Sequence, residues 1–156
     1  MNESVQLRRF AIFFFLAFLD ERLAAEISDR AAAAYKAKNF KRLDANSPEM
    51  RMLTINLCQS FWNTNKRRIT RKDMKPNVES FGKLPAGVSI QPWIKFNKNT
   101  SDDEILAFIL AQVLKFSETE VAEGLKISIG TLRHRVSRGI RVLGAYASEP
   151  GAQANG

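Results

Sequence analysis

The sequence predicts an all-α protein built as two small helical lobes joined by a linker that contains proline and glycine. Three observations carry that prediction. Apolar residues recur at three- and four-residue spacing over much of the 156-residue chain, serine caps precede several of those stretches, and Pro76, Pro85 and Pro92 fall beside Gly82 and Gly87 in one intervening segment. The composition, 45% hydrophobic with 11 Phe, is ample for helical cores and unlike that of a disordered chain. The boundaries read as an N-terminal lobe over 1–74, a linker over 75–100, a C-terminal lobe over 101–147 and a small polar tail over 148–156 that frays.

The N-terminal lobe opens on Phe10 to Leu19, the most hydrophobic run in the chain, placed directly after Arg8 and Arg9. Ten residues are too few to span a bilayer as a helix, and Asp20, Glu21 and Arg22 follow where a cleavage site would need small residues. The expectation is a helix buried on nearly all sides, no membrane insertion and a cytoplasmic location. The helix continues or restarts near Asp20, and the alanine-rich stretch Leu23 to Lys38 favours a second one. A third begins after Ser47, a cap with Pro48 at the first helical position, and runs towards Lys66, Arg67 and Arg68. The single cysteine, Cys58, excludes an intramolecular disulfide, and its neighbours Ile55, Leu57 and Phe61 mark it as a packing residue.

The prolines and glycines of residues 75–100 interrupt helices. Val88, Ile90, Trp93, Ile94 and Phe96 in the same segment are apolar, and either bind a partner in extended form or pack on the protein's own helices. Ser101-Asp102-Asp103-Glu104 then has the form of a capping box, and Ile105, Phe108, Ile109, Gln112 and Val113 continue at helical spacing as a floor for the C-terminal helix pair.

The stretch Phe116 to Arg141 is the most informative. Ser117 and Glu120 form a capping box, with Phe116 and Val121 placed as a hydrophobic staple. After a turn at Lys126, Ser128 caps a second helix in which Leu132, Val136 and Ile140 form an apolar stripe. Arg133, Arg135, Arg138 and Arg141 lie off that stripe, and no acid occurs between Gly124 and Ser148. A helix with one buried stripe and one cationic face suits the major groove, where Arg pairs with guanine edges or phosphates. The expected DNA contacts are Arg133, Arg135, Arg138 and Arg141, with His134 beside them and Ser128 and Thr131 positioning the helix on the backbone.

With Ser117, Glu120, Val121, Ala122, Glu123, Leu125, Ile127, Ser128, Gly130, Thr131, Leu132, Arg135 and Arg138 as they stand, this segment closely resembles region 4 of bacterial sigma-70 family factors of the extracytoplasmic-function (ECF) type. The resemblance implies a helix-turn-helix that reads the −35 promoter element. The sequence departs from it at Lys126, where the family usually has the turn glycine. The first three helices, with their basic end, resemble region 2 of the same family. That second resemblance implies core RNA polymerase docking through Glu26 and Asp29 of the middle helix, and contact of Lys66, Arg67 and Arg68 with promoter phosphates or single strand. Leu53, Ile55, Asn56 and Leu57 resemble the motif of the family's third helix, though Ser60 stands where an Asp is expected.

The net charge of +8 is uneven: residues 36–75 hold eleven bases and three acids, whereas residues 101–156 hold six and seven. The basic segment is a second candidate for phosphate contact. With one His and one Cys, metal-ligand arithmetic fails, so no metal or cofactor is expected. No nucleophile with a base, paired carboxylates or phosphate-cradling glycines occurs, so the expectation is recognition rather than catalysis. The implied partners are promoter DNA, core RNA polymerase and an anti-sigma factor. Two other readings fit the same residues: a sigma-like mimic or polymerase-associated regulator, and a stand-alone helix-turn-helix regulator that dimerises through its hydrophobic N-terminal helices.

Overall fold

Local capping divides the chain. In the computed structural model, which describes residues 2–68 and 90–148, α1 (Asn2–Phe18) is stopped where Leu19 adopts a left-handed φ of 53°, and Asp20 caps α2 (Glu21–Lys38) by accepting the Leu23 amide at 3.0 Å. Asn39 closes α2 through a two-way bond with the Leu43 backbone at 2.8 and 3.0 Å. Ser47 and Pro48 open α3 (Pro48–Asn65), which tightens into a 3₁₀ turn over Lys66–Arg68. Then come α4 (Gln91–Asn99), α5 (Asp102–Phe108), a π turn (Ile109–Val113), α6 (Glu118–Leu125) and α7 (Ile129–Ala147). The fold is all-α, with no β-strand among the described residues. Pro76, Pro85, Gly82, Gly87 and Val88 of the expected linker, the basic residues beyond Arg68, and the tail after Ser148 lie outside the described residues.

The N-terminal run forms a helix buried on most sides. Phe10, Phe14 and Phe18, spaced by four, stack at 6.3 and 5.8 Å between ring centroids, and Phe18 continues the column onto Trp62 of α3 at 5.1 Å. Gln6 adds a buried polar tie: its side-chain oxygen accepts the Thr54 hydroxyl at 2.5 Å and its nitrogen donates to the Ala45 carbonyl at 3.3 Å. Cys58 is fully buried and burial pushes its thiol upward, consistent with packing. No helix among the described residues is long and apolar enough to cross a membrane.

Residues 91–99 are helical, not extended, and their apolar side chains pack on the chain's own helices. Trp93, Phe96 and Phe108 form a ring triangle with centroid distances of 5.2 to 5.9 Å. Trp93 Nε1 and Asn97 Nδ2 each donate to the Leu16 carbonyl at 2.9 Å, so α4 satisfies an acceptor orphaned by the end of α1. Pro92 fits this helix because it sits in the first turn, where no backbone donor is lost. The expected helix after Ser101 also differs: its second half is the π turn, whose extra residue rotates Val113 outward to 36% exposure. Lys115, at φ 62°, then turns the chain so that Phe116 enters the core.

A single apolar core runs through both lobes. Two glycines permit it. A Cβ on Gly124 of α6 would lie 2.5 Å from Ile55 Cγ2 of α3, and one on Gly139 of α7 would lie 2.6 Å from Phe108 Cδ2. Across the same α3–α6 contact, Arg51 grips Glu120 in a two-pronged bond at 2.7 and 2.9 Å, while Arg9 and Arg51 each stand 4.9 Å from the centre of the Phe116 ring.

Gly124→Ala forces the Ile55 methyl aside within a filled core. It is expected to destabilise the fold by about 1–2 kcal/mol in chemical denaturation, strain outweighing the gain in helix propensity. The Arg51 bond holds the Glu120 carboxyl down at about 2, against an ordinary 4.5. A depressed carboxyl contributes stability that is complete above 4.5 and is lost as pH falls towards 2. Wild type should therefore lose on the order of 2 kcal/mol more than Glu120→Gln across that window, measured by urea unfolding at successive pH values.

Candidate nucleic-acid interface

The helix pair forms as its capping residues dictate. Ser117 accepts the Glu120 amide at 3.2 Å while Glu120 accepts the Ser117 amide at 3.0 Å, and both staple residues, Phe116 and Val121, are buried. Ala122, also buried, gives α6 a slim face at the helix contact. Lys126 occupies the turn at φ 58°, ψ 45°, the left-handed conformation that glycine adopts without cost. The Ile127 amide reaches back to the Ala122 carbonyl at 3.0 Å and closes the turn. Ser128 then caps α7, accepting the Thr131 amide at 3.0 Å, with the two hydroxyls 2.9 Å apart.

The buried stripe of α7 is not the expected one. Leu132 is fully buried and Val136 is half-buried, but Ile140 is 50% exposed. Successive four-residue steps overrun the 3.6-residue turn by about 40° each, so Ile140 has rotated off the face that Leu132 begins. The face continues instead through Gly139, Leu143 and Tyr146, at alternating steps of three and four. Gly139 carries no apolar side chain, so hydrophobic periodicity passed over it.

Every expected DNA-contact residue among Ser128, Thr131, Arg133, His134, Arg138 and Arg141 is exposed on α7 or its cap, while Arg135 is partly covered. Lys66 and Arg135 line one polar cleft of about 260 Å³ together with Asp102 and Asp103. Arg67 and Arg68 are exposed on the 3₁₀ turn.

Several of these cations are held by carboxylates from other parts of the chain. Arg133 meets Glu118 at 2.7 and 3.4 Å, which lowers the Glu118 carboxyl and raises the guanidinium. Arg138 lies 3.5 Å from Glu104, and Lys66 lies 3.9 Å from Asp102. Arg68 is bound to Glu26 at 2.6 and 3.2 Å, with the same paired shifts, and Arg30 also lies 3.4 Å from Glu26. Glu26, expected to face a partner, therefore faces Arg68, while Asp29 is exposed. The absence of acids within residues 125–147 is a property of the sequence and not of the folded surface. The counter-ions lie 15 to 42 residues away in sequence, beyond the reach of local patterning. No group of three metal-ligating side chains occurs among the described residues.

Lys126→Gly removes the left-handed strain at the turn. It is expected to raise stability by about 0.5–1 kcal/mol in urea unfolding while leaving the helix content by circular dichroism unchanged.

No protein-family model matches the chain, and no curated protein matches it in sequence. Among solved structures, it is similar to that of the sigma factor RpoE in complex with the anti-sigma factor NepR from Bartonella quintana, with a TM-score of 0.67, 20% identity and coverage of 92% of each chain. At that identity the likeness concerns the fold: the all-α fold of this chain resembles that of the sigma factor RpoE.

Proposed function

We propose that this chain is an ECF-type sigma factor of the cytoplasm that binds core RNA polymerase and directs promoter recognition, with α7 reading the −35 element. The observation that carries the reading is the α6–α7 unit: a closed capping box, a left-handed turn at Lys126, and a Ser128-capped helix with arginines on its exposed side. The likeness over 92% of both chains supports it, since it extends well beyond the helix pair alone. Ser128 and Thr131 would set the helix on the phosphate backbone. Arg133, Arg135, Arg138 and Arg141, with His134 beside them, would face bases or phosphates. Lys66, Arg67 and Arg68 would take promoter phosphates or single strand, and Glu26 and Asp29 would meet polymerase. An anti-sigma factor is the natural antagonist in this reading, and the mechanism is recognition without catalysis.

The N-terminal half favours a second reading. Ser60 stands where the family's third helix has its acid, and Glu26 is already occupied by Arg68. A regulator or sigma-like mimic that keeps the shape without melting promoters accounts for both. Reconstituted transcription with core RNA polymerase separates the two: promoter-specific initiation supports the sigma factor, and DNA binding without initiation supports the regulator. Arg133→Ala and Arg135→Ala should each weaken specific DNA binding by about 1–3 kcal/mol, and unchanged affinity in both sinks the proposed docking face.

A further inference from the structure

A groove between α1 and the π turn combines an apolar floor with a cationic rim, and none of its residues is among the proposed DNA contacts. Val5, Arg8, Arg9 and Ile12 recur at the spacing of one helix face and run along about 10 Å of the α1 axis. Val113 and Leu114 form the opposite wall. Together they line a cleft of about 350 Å³, within the ~300–1,000 Å³ of small-molecule sites. Val5 is 38% exposed and Val113, turned outward by the π turn, is 36% exposed, so part of the floor is apolar surface open to water. Among the described residues, neither Arg8 nor Arg9 meets a carboxylate at ion-pair distance. Arg9 donates from Nη2 to Asn46 Oδ1 at 3.2 Å and lays its guanidinium over Phe116, while its Nη1 is buried without a hydrogen-bond partner. The Glu120 carboxylate is already gripped by Arg51. Burial, and then the like charge of Arg51, lowers the Arg9 guanidinium from its ordinary value, so the cation is held here without full compensation.

We propose that this groove is a binding site for a medium-chain fatty carboxylate, its head group on Arg8 and Arg9 and its alkyl chain along Val5, Ile12, Val113 and Leu114. A plain anion such as phosphate would meet the arginines and leave the apolar floor wet. A neutral apolar molecule would cover the floor and leave the cations without a counter-charge. One amphipathic carboxylate answers both, and the net charge of +8 draws anions towards the chain. The groove runs along the helix axis, so an unbranched chain follows it with the head group at the arginines.

Octanoate, with hexanoate and 1-octanol beside it, tests the two halves of the site separately. In nitrogen-15 NMR titrations of the full chain, octanoate should shift the amides of Val5, Arg8, Ile12, Val113 and Leu114 saturably. Hexanoate, two methylenes shorter, should bind roughly three- to tenfold more weakly because less chain lies on the floor. The alcohol, without a charge for the arginines, should bind roughly fivefold more weakly or worse. Val113→Asp sets a carboxylate on the exposed floor and should abolish saturable binding. Arg8→Glu should weaken octanoate about tenfold or more, whereas Lys41→Glu, the same change of net charge at an exposed position outside the groove, should leave it unchanged. Equal losses in Arg8→Glu and Lys41→Glu mean a general attraction to a basic protein and overturn the site. Equal affinity for octanoate and 1-octanol overturns it as well, and so does octanoate binding that Val113→Asp leaves intact. A groove filled by a second copy of the chain, seen in sedimentation as a dimer that Val113→Asp dissociates, also overturns it. If Arg8→Glu loses its cooperative melt, Arg8→Gln and Lys41→Gln replace the pair, and a weakening confined to Arg8→Gln is again the expected result.

Discussion

The Glu120 carboxylate serves two helices at once. It accepts the Ser117 amide as the returning half of the α6 capping box and receives both prongs of Arg51 from α3. The start of the helix-turn-helix is thereby joined to its attachment on the N-terminal half. Around that point the rest is arranged: Phe116 enters between two guanidiniums, Gly124 settles on Ile55 one turn further along α6, and α7 falls where Gly139 meets Phe108. An ion pair this dependent on geometry contributes because its partners are largely withdrawn from water and already fixed by caps and packing.

Much of the fold was legible because its signals are local. Ser47 with Pro48, Ser117 with Glu120, and Ser128 with Thr131 act over three residues, and each opens a helix where expected. The phenylalanine spacing of α1 likewise carries its own stacking geometry. Lys126 is an instructive middle case. The turn demanded a left-handed residue, the sequence offered lysine, and the surrounding closure imposed the conformation.

The features that were not legible depend on contacts distant in sequence. Pro92 and the nearby glycines mark a break, yet α4 forms because Trp93 and Asn97 find the Leu16 carbonyl, 77 and 81 residues earlier. Gly124 and Gly139 carry no apolar signal, and their role exists only once Ile55 and Phe108 stand opposite. Ile140 shows the converse: an apolar residue at a plausible spacing whose rotation left it exposed, because the helix face is set by its neighbours.

The candidate site inherits the same distinction. Arginines on α7 were visible as a cationic face, but the acids that meet them come from α5 and α6. In the proposed DNA complex, a phosphate taking the Nε and Nη2 prongs of Arg133 would displace Glu118, exchanging one charge-assisted pair for another and returning a carboxylate to water. The net gain is the difference between two pairs of similar kind, so affinity cannot be inferred from a count of exposed arginines. In the proposed DNA-reading role, specificity would gain from this. A weak uniform attraction to phosphate leaves base contacts to decide where the helix settles, and the contacts that matter are those strong enough to replace a pair the protein already has.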